Sequence, residues 1–227
     1  MKNIQHVFFD LDHTLWDYDR NAQETLTEIH SDFELEKFVN LEKFIQTFYS
    51  INDELWHKYN SGLIEREEIK QSRFSSLFQS FGIDDKDHLK VSDYFIESCS
   101  TKPHLMPDAL NTLNYLQGRY QLHIITNGFN DTQPKKLKSS GIAKYFRAVV
   151  TSDGSKARKP SPEIFDYALK LTNAKKEESV MIGDNPRTDI HGARDFGLKT
   201  ILFDPSGKKR SMADCTVQSL NELIGIL

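Results

Sequence analysis

The chain has 227 residues, 38% hydrophobic and 27% charged, with a formal net charge of −4. That length supports one substantial core, or a core plus a smaller unit. The charge excludes the global basic field of a protein built to bind nucleic acid polymers or anionic lipid. Cys99 and Cys215 form no CxxC and no zinc-type spacing, and two reduced thiols fit a reducing compartment. No stretch approaches the roughly 20 apolar residues that cross a bilayer. Acids at positions 10 and 12 interrupt the place where a signal peptide needs an apolar run. The expectation is a cytoplasmic protein with no membrane and no nucleic acid polymer as partner; composition carries no signal for oligomeric state.

The first predicted element is a strand over about Gln5 to Phe9, leading straight into Asp10 and Asp12. From about Tyr18 to Cys99 the apolar residues recur at helical spacing. Ala22, Leu26, Ile29 and Phe33 share one face, as do Phe44, Ile45, Phe48, Leu55, Trp56 and Tyr59. Ile69, Leu77, Phe78 and Phe81 follow, stopped by Gly82, and then Leu89, Tyr94 and Phe95. The aromatics read as the packing face of a small helical bundle.

After His104 short apolar runs at 121–126, 148–152, 179–184 and 199–203 alternate with amphipathic stretches at 107–118, 131–140, 161–172 and 187–196. Ser161-Pro162 reads as a helix start with a capping hydroxyl, and Gly141 and Gly197 as helix stops. Alternation of this kind implies an α/β fold, a parallel sheet flanked by helices, with the opening strand in the same sheet and the helical block inserted after it. The basic clusters Lys135, Lys136, Lys138 and Lys208, Lys209, Arg210 read as solvated surface and loop tips.

Polar residues gather where predicted strands end: Asp10 and Asp12, then Thr126-Asn127-Gly128, then Ser152 leading to Lys159, then Gly183-Asp184 with Asp189 beyond. In an open parallel sheet the ligand crevice lies at the carboxyl edge, so these residues are expected to converge. Four acids against a single Lys159 call for a cation, and oxygen-only donors beside a phosphate suit Mg²⁺. Asp189 reads equally as a metal residue and as a helix-start acid facing the dipole. Taken alone, Lys159 reads as an exposed loop lysine. Asp10 and Asp12, two apart in an extended segment, point to one side. One carboxylate can hold the metal and attack phosphorus while the other reaches the leaving oxygen. Thr126 and backbone N–H groups around Asn127 and Gly128 can hold phosphoryl oxygens, with Lys159 offsetting their charge.

Together FFDLDHTL, IITNG, ARKPSPEIF and IGDNPRTDI resemble the four motifs of the haloacid dehalogenase superfamily, in the same order. The resemblance implies a Rossmann-like core at 1–17 and 101–227 with an all-helical cap at 18–100. Carried over, it makes Asp10 the nucleophile and Asp12 the acid that later activates water. Thr126 binds phosphate and Lys159 steadies phosphate and nucleophile. Asp10, the main-chain carbonyl of Asp12, and Asp184 hold Mg²⁺, with Asp189 behind the ion or ligating it. WDYDRN, TNGFNDTQ, LKSSGIAKYF and KPSPEIFDYAL are similar to the pyrimidine 5′-nucleotidase branch. That branch implies a small phosphate ester, such as a nucleoside 5′-monophosphate, as substrate. Trp16, Asp17 and Asn21 at the junction are placed to touch substrate, but read first as hinge and packing residues.

Three other readings remain. A haloacid dehalogenase would leave Asp12 and the Asp184/Asp189 pair without a task. A sugar phosphomutase would use the same acids. A non-catalytic protein on this fold would be expected to lack the nucleophile, acid or lysine.

Overall fold

The computed structural model describes residue 1 and residues 3–227. Its sheet strands are β1 (His6–Phe9), β2 (Gln121–Ile125), β3 (Phe146–Val150), β4 (Ser179–Gly183), β5 (Lys199–Phe203) and β6 (Cys215–Val217). They form one sheet in the order β3-β2-β1-β4-β5-β6, with every neighbouring pair parallel. The helices are α1 (Tyr18–Asp32), α2 (Leu41–Asn60), α3 (Arg66–Ser80), α4 (His88–Ser100), α5 (Ala109–Leu116), α6 (Gln133–Ser139), α7 (Ser152–Ser155), α8 (Pro162–Thr172), α9 (Gly192–Phe196) and α10 (Leu223–Ile226). Contacts divide the chain into two units, Met1–Tyr18 with Pro103–Leu227, and Asp19–Lys102. This is the α/β Rossmann-like architecture that the strand–helix alternation predicts.

The central strands are covered on both faces, so they are continuously apolar rather than alternating. All four residues of β1 and all five of β4 are buried. Phe8, Ile125, Val150, Ile164, Phe165 and Met181 belong to one core cluster, joining strands to α8. β1 lies at the point where the strand order reverses, with β2 on one side and β4 on the other. The crevice of a doubly wound sheet opens at such a point, beyond the carboxyl ends of the strands. Asp10, the residue after β1, therefore stands at its centre.

The helical unit packs as the aromatic pattern indicates. The Phe48 ring lies 4.9 Å from Phe95 and 5.6 Å from Phe74, centroid to centroid. Asn40 caps α2 by accepting from the Lys43 N–H at 2.9 Å. Glu65 and Glu68 form a reciprocal capping box on α3. Buried Arg73 sits over the Phe95 ring at 4.8 Å and donates to Asn52. Leu89 departs from the expected packing face, being 44% exposed.

Other departures are local. β6 was not visible as a strand, because a three-residue edge strand with one buried apolar residue carries almost no periodic signal. The third strand begins at Phe146 and ends before Ser152, which opens α7 instead. The stretch read as one helix over 187–196 is a π-helical turn, Pro186–His191, running into α9. α8 does begin at Pro162, but the Ser161 hydroxyl donates to the Glu163 carboxylate and does not cap the helix. Gly141 (φ 72°) and Gly197 (φ 100°) end their helices in the left-handed conformation, as expected.

Candidate active site

Asp10 continues β1 by donating its N–H to the Ile182 carbonyl at 2.8 Å, which fixes the backbone beneath its carboxylate. Lys159 comes from the loop before α8, 149 positions away, and is only 2% exposed. Its ammonium donates to Asp10 Oδ1 at 2.6 Å and to the Ile125 carbonyl at 2.8 Å, and lies 2.7 Å from Asp189 Oδ1. The reading of Lys159 as an exposed loop residue is thus overturned. Its backbone is held by one side chain: Asn127 accepts from the Lys159 N–H at 2.7 Å and donates to the Lys159 carbonyl at 2.9 Å.

Thr126 follows β2, and its hydroxyl oxygen accepts from the Gly128 N–H at 3.0 Å. Gly128 packs so tightly against Gln133 that any Cβ there would overlap that side chain. Asp189 is 1% exposed and accepts at Oδ2 from the Asn185 N–H at 2.9 Å. Asn185 in turn caps the π turn, accepting from the N–H groups of Arg187 and Thr188. Asp189 is therefore a buried partner of Lys159, and it also lies in the first turn of the π-helical segment. A Cβ on Gly183 would overlap the Asp189 carboxylate, so the close approach of strand and turn needs a glycine.

Asp10, Asp184 and Asp189 each offer an oxygen, and the three lie within 4.8 Å of one another. Burial raises the Asp10 pKa, opposed by Lys159 and reinforced by repulsion from Asp189 and Asp184. Burial and Asp189 likewise raise that of Asp184, against the pull of His13 and Lys209. Burial works against the Lys159 ammonium, but Asp10 and Asp189 together hold its pKa above the usual lysine value. The cluster of hard oxygen donors, with Asp10 and Asp184 resisting ionisation, fits a small divalent cation. The Asp12 carboxylate stands outside this trio; among the described residues it belongs to no such group.

Two cations here were missed. Lys136 donates to Asp12 Oδ1 at 2.7 Å, and Gln133 donates to Asp12 Oδ2 at 3.1 Å. Lys209 donates to Asp184 Oδ2 at 2.9 Å and to its carbonyl at 2.7 Å. Neither lysine is simply solvated surface, and Lys159 does not face the acids alone. The available signal for the first was the i, i+3 spacing of Gln133 and Lys136 just after TNG, which places both on one face of α6.

Residues 4–197 match the haloacid dehalogenase-like hydrolase family. The pyrimidine 5′-nucleotidase YjjG of Escherichia coli is 30% identical over 97% of this chain and 96% of its own length. The pyrimidine 5′-nucleotidase PynA of Streptococcus pneumoniae is 29% identical over 88% of this chain and 83% of its own. The magnesium-bound crystal structure of the putative HAD-hydrolase YfnB from Bacillus subtilis superposes with a TM-score of 0.90, at 26% identity, covering 100% of this chain and 99% of that one. The chain belongs to the haloacid dehalogenase-like hydrolase family. It is an enzyme of the hydrolase class, and no helix among its described residues is long and apolar enough to cross a membrane.

Proposed function

We propose that this hydrolase is a Mg²⁺-dependent phosphomonoesterase that works through an aspartyl-phosphate on Asp10. The observation that carries the reading is the buried lysine braced between Asp10 and Asp189, beside Asp184. Lys159 occupies Oδ1 of Asp10, which leaves Oδ2 for attack on phosphorus. The Oδ2–P bond forms as the ester P–O bond breaks, and Asp12, which has to carry a proton when the substrate is bound, gives that proton to the leaving oxygen. Asp12 then takes a proton from water, which attacks phosphorus, breaks the P–Oδ2 bond and releases phosphate. Thr126 accepts from the Gly128 N–H, and its hydroxyl would donate to a phosphoryl oxygen. Lys159 balances charge that grows on the same group.

Asp10, Asp184 and the main-chain carbonyl of Asp12 would hold Mg²⁺, which supplies charge neutralisation among the acids and polarises the phosphoryl group. Both oxygens of Asp189 are engaged, by Lys159 and by the Asn185 N–H, so its part is to brace the lysine. A dehalogenase would leave Asp12 and Asp184 idle. Similarity to YjjG and PynA over most of the chain favours a nucleoside 5′-monophosphate among small phosphate esters.

The test is p-nitrophenyl phosphate turnover with Mg²⁺ and with EDTA, followed by a panel of nucleoside monophosphates and sugar phosphates. Turnover should require Mg²⁺, and Asp10→Asn should abolish it while melting normally. A fully active Asp10→Asn rules out the covalent route.

A further inference from the structure

Asp12 is held by two donors that come from one helix. Lys136 Nζ is 2.7 Å from Oδ1 and Gln133 Nε2 is 3.1 Å from Oδ2. Both donors are buried; Gln133 is 1% exposed, and the Lys136 side chain 10%, while the Asp12 side chain remains 23% exposed. Lys136 is itself restrained, its ammonium lying 4.5 Å from the centroid of the fully buried Trp16 ring. An ammonium pinned between a carboxylate and an indole face has little freedom to wander. Contact at both oxygens fixes the rotation of the carboxylate plane as well as its position.

A solvated surface lysine would do none of this. A residue that must deliver a proton to one particular oxygen gains from such restraint, since misplacement by about 1 Å can cost about 100-fold in rate. We infer that Lys136 and Gln133 are positioning residues that aim the Asp12 carboxyl at the leaving oxygen. The inference rests on the assignment of Asp12 as proton donor under the proposed function.

The test compares kcat/KM for p-nitrophenyl phosphate and phenyl phosphate, two similar esters. The phenoxide leaving group is far more basic than nitrophenoxide, so only phenyl phosphate depends strongly on the acid. kcat/KM reports the transfer to Asp10 and is untouched by the later hydrolysis step. In Asp12→Asn the ratio of p-nitrophenyl to phenyl phosphate should rise about 100-fold or more, the scale of a positioned general acid. In Lys136→Met and in Gln133→Met it should rise about 10-fold, with Lys136→Arg restoring most of the wild-type ratio.

A merely structural lysine would lower both substrates equally, leaving the ratio fixed; that result overturns the inference. If Asp12→Asn shifts the ratio and both methionine variants do not, the positioning role alone fails. If Asp12→Asn leaves the ratio at the wild-type value, the acid assignment fails and the inference goes with it.

Discussion

Asn127→Ala isolates how the loop lysine is held. Its side-chain amide satisfies both backbone groups of Lys159, at 2.7 Å and 2.9 Å, in a buried setting. Truncation leaves a buried N–H and a buried C=O without these partners. At about 1–3 kcal/mol for each unsatisfied group, the loss is about 2–6 kcal/mol. That is a large part of a typical domain stability of about 5–15 kcal/mol. The Lys159 ammonium is placed through that same backbone, so a shift of about 1 Å should lower kcat/KM about 100-fold. Asn127→Asp keeps an acceptor for the Lys159 N–H but sets an oxygen against its carbonyl, so it should recover only part of the stability. Urea melts give the first quantity, and p-nitrophenyl phosphate turnover under Mg²⁺ gives the second. An Asn127→Ala protein within about 0.5 kcal/mol of wild type, the range of a neutral surface change, would refute the reasoning. So would full activity.

Two further outcomes follow from burial and close packing. Gly192→Ala adds a Cβ 2.7 Å from Pro160 Cα and 2.8 Å from its carbonyl oxygen, a backbone neighbour that cannot rotate aside. The clash should outweigh the gain of about 1 kcal/mol in helix propensity. A net loss of about 1–3 kcal/mol is expected in urea melts, with reduced turnover because Pro160 adjoins Lys159. Equal or greater stability would show that the loop yields freely. His123 is 1% exposed and contacts His6 at 3.1 Å; burial, then His6 and Arg147, lower its pKa from 6.5 to about 4. The unfolded chain takes up this proton below about pH 6.5 and the folded chain only near pH 4. Stability from this group is therefore complete above pH 6.5 and falls as pH drops, by about 2 kcal/mol at pH 5. His6, also lowered by burial, adds in the same direction. Melts from pH 7.5 to 5 should show wild type losing more stability than His123→Leu. Parallel profiles would contradict a neutral buried imidazole.

Local periodicity carried most of the architecture. β1 and β4 announce themselves as short buried runs, and the helical unit as aromatics at helical spacing, because both signals come from neighbours along the chain. β6 and the π turn at Pro186–His191 were not legible: the first is stabilised by pairing with β5, the second by Asn185 and Asp189 holding its opening.

The acids at the carboxyl edge could be picked out one by one, since strand ends are marked and a parallel sheet gathers them there. What the tertiary structure alone decided was which cation meets which acid. Lys159 reaches Asp10 across 149 positions, and Lys136 reaches Asp12 across 124. Lys135, Lys136 and Lys138 look alike as letters, because a lysine's burial depends on what the folded chain brings opposite it. Helix α6 turns Lys136 toward Asp12 and Trp16, and that pairing is what makes a buried ammonium stable there.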